Sequence, residues 1–192
     1  MEERTILIIV GIVLVLAAFS PLIFMSNDNE YDYNDFKIQK IPTGWATWAY
    51  KGEQPYYLQL RHDPKTLENV SIDSNIRDLI LSKPALALTI DPKQDLRGKT
   101  IVASQDIANI LGRRLGLFNV NVIGATTEFA NDGTYIINCK DVQESLNVAW
   151  LRVGEKTEVY LDNGCIIIEG QNEDELTRSA DRLVYHVLEV MP

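Results

Sequence analysis

The chain has 192 residues and a mass of 21.7 kDa, with 46% apolar and 23% charged residues, two cysteines and a formal net charge of −9. That is enough chain for one ordinary globular domain and a little more. The acidic balance argues against nucleic acid as a partner, because neutralising phosphates needs a cationic face.

The amino-terminal stretch from Thr5 to Met25 has no charged residue and consists mostly of Ile, Leu, Val, Ala and Phe. At about 1.5 Å per residue it reaches roughly 30 Å, the thickness of a hydrocarbon core, and so predicts a transmembrane helix with residues 1–25 as anchor and the lipid bilayer as partner of residues 5–25. A signal peptide cleaved near Leu16-Ala17-Ala18 is the competing reading. The apolar residues beyond that point, Phe19, Leu22, Ile23, Phe24 and Met25, fit an uncleaved signal anchor better. Arg4 precedes the span and no Lys or Arg lies between Ser26 and Phe36. The positive-inside rule therefore puts the amino terminus in the cytoplasm and the rest of the chain outside the cell membrane.

Residues 26–35 read as an acidic spacer. Asp28, Glu30 and Asp32 imitate a calcium loop, but the glycine at its sixth position and its closing Glu are missing. Residues 36–192 then read as a single extracytoplasmic domain. Apolar and polar residues alternate over 36–41, 44–50 and 56–61, with turns at Pro42-Thr43-Gly44 and Gly52-Glu53, which predicts an antiparallel meander. Helical spacing of Ile72, Ile76, Leu79 and Ile80 predicts a helix over 71–82, ended by Pro84, and Ala85 to Ile90 a buried strand. A second helix over 100–117 leads to a short strand at 119–123. Strands follow at 135–139, 148–153, 157–161 and 165–169, the last two joined by Asp162-Asn163-Gly164, whose Asn-Gly is a strong hairpin signal. Asn172 with Glu175 resembles a capping box for a closing amphipathic helix, its apolar stripe running from Leu176 and Ala180 through Leu183, Val184 and Val187 to Met191. On that helix His186 falls about 120° from the stripe and is expected to face solvent. The fold class is α/β or α+β with a mixed sheet.

No constellation in the sequence specifies catalysis. There is no Gly-x-Ser-x-Gly, no Walker loop and no Gly-x-Gly-x-x-Gly, and no cofactor or metal is expected. Leu111 to Gly116 carries glycines and Arg113-Arg114 without the strand-to-helix turn that a phosphate loop requires, so those arginines read as a solvated helix end. The acidic run Glu173-Asp174-Glu175 suits the positive end of a helix dipole. Cys139 and Cys165 enclose 25 residues and, in an oxidising compartment, would form a disulfide; two buried thiols or half a metal site are the alternatives. Asn69-Val70-Ser71 is a glycosylation sequon. Trp45, Trp48, His62 and Asp63 form a candidate ligand surface, the aromatics for stacking on a sugar and the His-Asp pair for acid–base work, beside the plainer reading of cross-strand packing and a turn.

The segments Leu60-Arg61-His62-Asp63-Pro64, Leu67-Glu68-Asn69-Val70, Thr89-Ile90-Asp91-Pro92 and Cys165 to Gly170 leading into Ala180-Asp181-Arg182-Leu183-Val184-Tyr185-His186 resemble a family of uncharacterised membrane-anchored surface proteins of small-genome archaea, over most of residues 55–190. The resemblance implies an anchor, one fold unit and a role for both cysteines, and carries no catalytic residue. More distantly, Gln105 to Gly112 followed by a strand is similar to a domain of archaeal surface-layer (S-layer) proteins, except that Asn138-Cys139 stands where those have a Gly-Gly-Pro turn. The expected function is a non-enzymatic, cell-surface envelope component docking to other envelope proteins, with homo-oligomers possible. The alternative is a tethered extracytoplasmic module that binds or hydrolyses a sugar or peptide.

Overall fold

The structure is a computed structural model and describes residues 29–94, 96, 98–114, 117–129 and 133–192. The expected anchor at 5–25 and the cleavage site at 16–18 lie outside the described residues; among those described, no helix is long and apolar enough to cross a membrane.

Four strands form the first sheet, in the order β1 (Glu30–Tyr33), β2 (Phe36–Ile41), β3 (Gly44–Lys51) and β4 (Gln54–Leu60), all antiparallel. The meander thus has one strand more than its sequence predicts, because Glu30–Tyr33 of the expected spacer 26–35 is β1. Its acidic residues hide a period of two: Tyr31 and Tyr33 turn inward to the core, while Glu30 and Asp32 turn outward and pair with Lys37 at 3.0 and 3.4 Å. Asn34 and Asp35, both at positive φ, make the tight turn that reverses the strand. Gly44 is required where β3 begins, since a Cβ there would stand 2.3 Å from the Leu60 carbonyl oxygen.

The second sheet has seven strands in the order β5-β10-β11-β9-β6-β7-β8, with β5 (Ser71–Ile72), β6 (Ala85–Ile90), β7 (Asn121–Thr126), β8 (Tyr135–Ile136), β9 (Leu146–Val153), β10 (Glu158–Asp162) and β11 (Cys165–Gly170). Strands β11, β9, β6, β7 and β8 run parallel, and β10 opposes β11 across the Asn163-Gly164 turn. The helix expected over 71–82 is shorter, α1 (Ile76–Ser82), because Ser71–Ile72 pairs with β10 instead. The second helix, α2 (Gly98–Leu111), stops at Gly112, where a Cβ would meet the Ala108 carbonyl oxygen at 2.2 Å. Arg113 and Arg114 beyond it are exposed. The expected strand 135–139 keeps only its first two residues, and Cys139 begins a 3-10 turn capped by Asn138.

The last helix, α3 (Glu173–Val187), is capped as expected, with Asn172 accepting from the Asp174 and Glu175 N–H groups. Glu175 does not reach back to close the box but bonds the Thr157 hydroxyl and Arg178. From Ser179 to Leu188 every residue of this segment is buried. One core joins the inner face of the meander (Ile38, Leu58, Leu60), the helices (Ile76, Ile107, Leu183) and one face of the second sheet (Leu88, Leu151, Ile166). Buried all round from Ser179 onward, α3 leaves no solvent face for His186, which is 5% exposed and bonds the Met191 carbonyl oxygen through Nδ1. The expected solvent position of His186 is therefore corrected. The opposite face of the second sheet carries a smaller cluster, Ala87, Val148, Cys165 and Ile167, under the segment that holds Ile137, Cys139 and Val142.

Candidate functional site: a cleft around His62

The site begins at the end of β4. Asp63 and Pro64 start a 3-10 turn, with Pro64 at its first position and the Asp63 carboxylate accepting from the Lys65 N–H at 3.0 Å. That turn leaves Arg61 and His62 at the corner where the meander meets α3. Asp181, on α3 and 3% exposed, holds the corner with one oxygen: its Oδ2 accepts from the Arg61 N–H at 3.0 Å, the His62 N–H at 2.9 Å and His62 Nδ1 at 2.8 Å. A buried carboxylate is tolerable only when hydrogen-bonded in this way. Because a carboxylate only accepts, Nδ1 carries a proton, and Nε2 is the nitrogen left for other contacts.

Tyr185, one turn further along α3, donates its hydroxyl to the His62 carbonyl at 3.0 Å. Burial, with Asp181, Tyr31 and Asp63 nearby, pushes the Tyr185 phenol far up, so it stays a protonated donor. Tyr31 of β1 donates to the Asp63 carboxylate, and the Lys65 ammonium lies 3.7 Å from the centre of the Tyr31 ring. Arg61 reaches to α2, its Nε 2.8 Å from Asp106, whose carboxyl is raised by burial against the pull of Arg61.

These contacts form one wall of a cleft of about 490 Å³. The other wall comes from the first turns of two helices: Gly98, Lys99 and Val102 of α2, and Asp174 and Thr177 of α3. Both helices start just beyond the carboxyl ends of parallel strands, β6 and β11, which is where open α/β sheets place ligand crevices. The helix starts are tied together, Lys99 to Asp174 at 2.5 Å and the Thr100 hydroxyl to Glu173 at 2.8 Å. The acidic run thus bridges two helices as well as facing a dipole.

Of the ligand surface expected from sequence, only His62 lines this cleft. Asp63 is a structural partner of Tyr31 and Lys65. Trp45 and Trp48, three residues apart on one strand, point to opposite faces. Trp45 packs inward, edge-on to Tyr31 with ring centres 6.0 Å apart, while Trp48 is 45% exposed on the outer face, 5.0 Å from Tyr57. The four residues therefore form no common surface. Asn69 is exposed after the 3-10 turn, its Oδ1 accepting from Arg178 at 2.8 Å. Cys139 and Cys165 are disulfide-bonded, with Cα atoms 5.3 Å apart. Among the described residues no group of three or more His, Cys, Asp or Glu is placed to hold a metal ion.

Asp181 is the functional residue that the sequence reading misses. A signal exists: Thr177, Asp181 and Tyr185 recur every four residues beside the apolar stripe, polar groups that must be answered from elsewhere in the chain if that side of the helix is buried too. A second buried carboxylate lies on the sheet face away from the helices. Glu169 accepts from the Glu155 and Lys156 N–H groups at 2.9 and 3.1 Å, from Arg152 Nε at 2.8 Å and from the Tyr160 hydroxyl at 3.2 Å. Burial alone would raise its carboxyl, but these donors outweigh it and hold it below the ordinary range. All its partners are protein groups, so it locks the 154–157 loop. No family model, no curated protein and no solved structure matches the chain.

Proposed function

We propose that this chain is a single-pass, membrane-anchored cell-surface module whose domain stands outside the cytoplasm and acts by recognition, as an envelope or surface-layer component, rather than by catalysis. The observation that carries this reading is the bond between Cys139 and Cys165. Disulfides persist in oxidising compartments and are rare in the cytosol, so the bond agrees with the orientation drawn from Arg4 and the uncharged run 5–25. Other envelope proteins are the partners of this reading. Its test is labelling with a membrane-impermeant amine reagent, followed on the exposed Lys140 and Lys156. Equal labelling in intact and lysed cells is expected; labelling only after lysis overturns the topology. The native mass of the gently extracted protein then separates an assembly with other envelope chains from a lone protomer.

One observation favours the second reading, a tethered module that binds or hydrolyses its ligand. The Asp181–His62 pair has the arrangement of a general base, with the carboxylate fixing one nitrogen and the other left for a water or substrate proton. Among the described residues no hydroxyl or thiol bonds the imidazole, so hydrolysis here would run through water. Turnover of a sugar or peptide substrate that His62→Gln abolishes without unfolding the domain decides for this alternative.

A further inference from the structure

The recognition reading leaves open what the His62 cleft holds, and the lining residues narrow it. In a chain of net charge −9, this cleft gathers Arg61, His62 and Lys99 against one lining acid, Asp174. His62 is committed to Asp181 through Nδ1, which leaves Nε2. Arg61 is committed to Asp106 through Nε, which leaves its terminal nitrogens. Lys99 is already engaged by a carboxylate, that of Asp174, at 2.5 Å, and both side chains are well exposed. The protein's own acid thus occupies the position that an incoming acid would take, and an exposed pair of this kind contributes little stability that a ligand would have to replace. Beside the charges lie Val102, which is 38% exposed, Gly98, which carries no side chain, and Thr177, whose hydroxyl is already donated to the Asp174 carbonyl, so the remaining wall is largely apolar.

We propose that the cleft is a binding site for a small carboxylate with an apolar body, its carboxylate bridging Lys99 and Arg61 beside His62 and its body lying on Val102. Two fixed cations stand against Asp174, Asp106 and the buried Asp181, so the cleft has no surplus of positive charge for a dianion and takes a monoanion only in exchange for the exposed Asp174 carboxylate on Lys99. The proposal rests on the recognition reading only in taking the ligand as bound and not turned over.

The experiment uses the full chain in lipid nanodiscs, labelled with ¹³C-histidine. The protein has two histidines, so His62 reports on the cleft and the buried His186 serves as internal control. Benzoate is the probe, benzylammonium reverses its charge, and inorganic phosphate supplies an anion without the apolar body. Benzoate is expected to move the His62 ring signals in a saturable way and leave those of His186 in place. Benzylammonium and phosphate are expected to move neither at the same concentrations. Lys99→Gln should weaken benzoate at least about tenfold. Asp174→Asn should tighten it severalfold, because the internal competitor for Lys99 is gone. A His62 signal that ignores benzoate in a folded protein overturns the site. An equal response to benzylammonium overturns its charge preference, and a response to phosphate alone overturns the apolar body. These outcomes are independent of the amine-labelling result, and conversion of the bound acid would refute recognition without refuting the site.

Discussion

Asp181 on α3 and His62 at the end of β4, 119 residues apart in the chain, are joined through a single carboxylate oxygen that accepts from the His62 ring and its backbone N–H, and from the Arg61 N–H beside it. The pair fixes the meander to the helical layer and aims an imidazole into the cleft in the same act. Replacing Asp181 by Asn keeps the shape but loses the charge that suits three donors at once. A cost of about 2 kcal/mol in folding stability is expected, since hydrogen bonds to charged groups contribute about 1.5–3 kcal/mol. Denaturant unfolding checks the cost, and displaced His62 ring signals with unmoved His186 signals check the loss of orientation.

Glu169 predicts acid sensitivity of definite sign. Its folded carboxyl titrates below the ordinary value of 4.5, held down by the Lys156 N–H, Arg152 and Tyr160 against the effect of burial. The unfolded chain therefore binds the proton more readily, so the stabilisation is fully present above about 4.5 and is lost as pH falls through the lower folded value. Glu169→Gln should remove that part of the acid limb and cost about 1–3 kcal/mol at neutral pH by leaving Arg152 without its ion pair. Unfolding midpoints of parent and variant between pH 7 and about pH 3 measure both.

His186 predicts a second, earlier limb. Burial lowers its folded value below the ordinary 6.5, with the Arg182 and Arg77 guanidiniums acting in the same direction and the Met191 and Ser74 carbonyls in the opposite one. Again the unfolded chain takes up the proton first, so stability is complete above about 6.5 and falls as pH drops below it. His186→Leu, which places an apolar side chain at this buried position of α3, should flatten stability between about pH 7 and 5 while shifting the neutral value less. A variant with the same slope as the parent would rule His186 out as its source.

The disulfide predicts a stability loss on reduction. Closing a loop of 25 intervening residues is worth about 3 kcal/mol through the unfolded chain. Cys139→Ser should lower the unfolding free energy by about that amount. Cys165→Ser should cost more, because Cys165 is fully buried among Ala87, Val148 and Ile167 and its serine would bring a hydroxyl there. Guanidinium unfolding of the two variants, compared with the reduced parent, orders the three.

Elements whose cause is local were legible in the sequence. The Asn163-Gly164 hairpin, the Asn172 cap and the alternation over β2, β3 and β4 each follow from turn chemistry or a period that a few neighbouring residues establish. β1 was missed because acidic residues on its outer face mask the inward tyrosines. The split of Trp45 from Trp48 was already implied by their odd spacing on a strand. The burial of His186 was not, since an apolar stripe shows which face of a helix packs and not whether a second layer covers the other.

The sequence by itself therefore determined the uncharged run at 5–25, the strands with a clear period, the Asn-Gly turn, the cap and the chemistry available, because these depend on residues within a turn or two of one another. Only the tertiary structure decided the strand order of the second sheet, the partner of His62 and the cleft between α2 and α3. The last two depend on which distant segments the buried polar groups of α3 must find: once α3 lies in the core, Asp181 needs donors, and the chain supplies them from the end of β4.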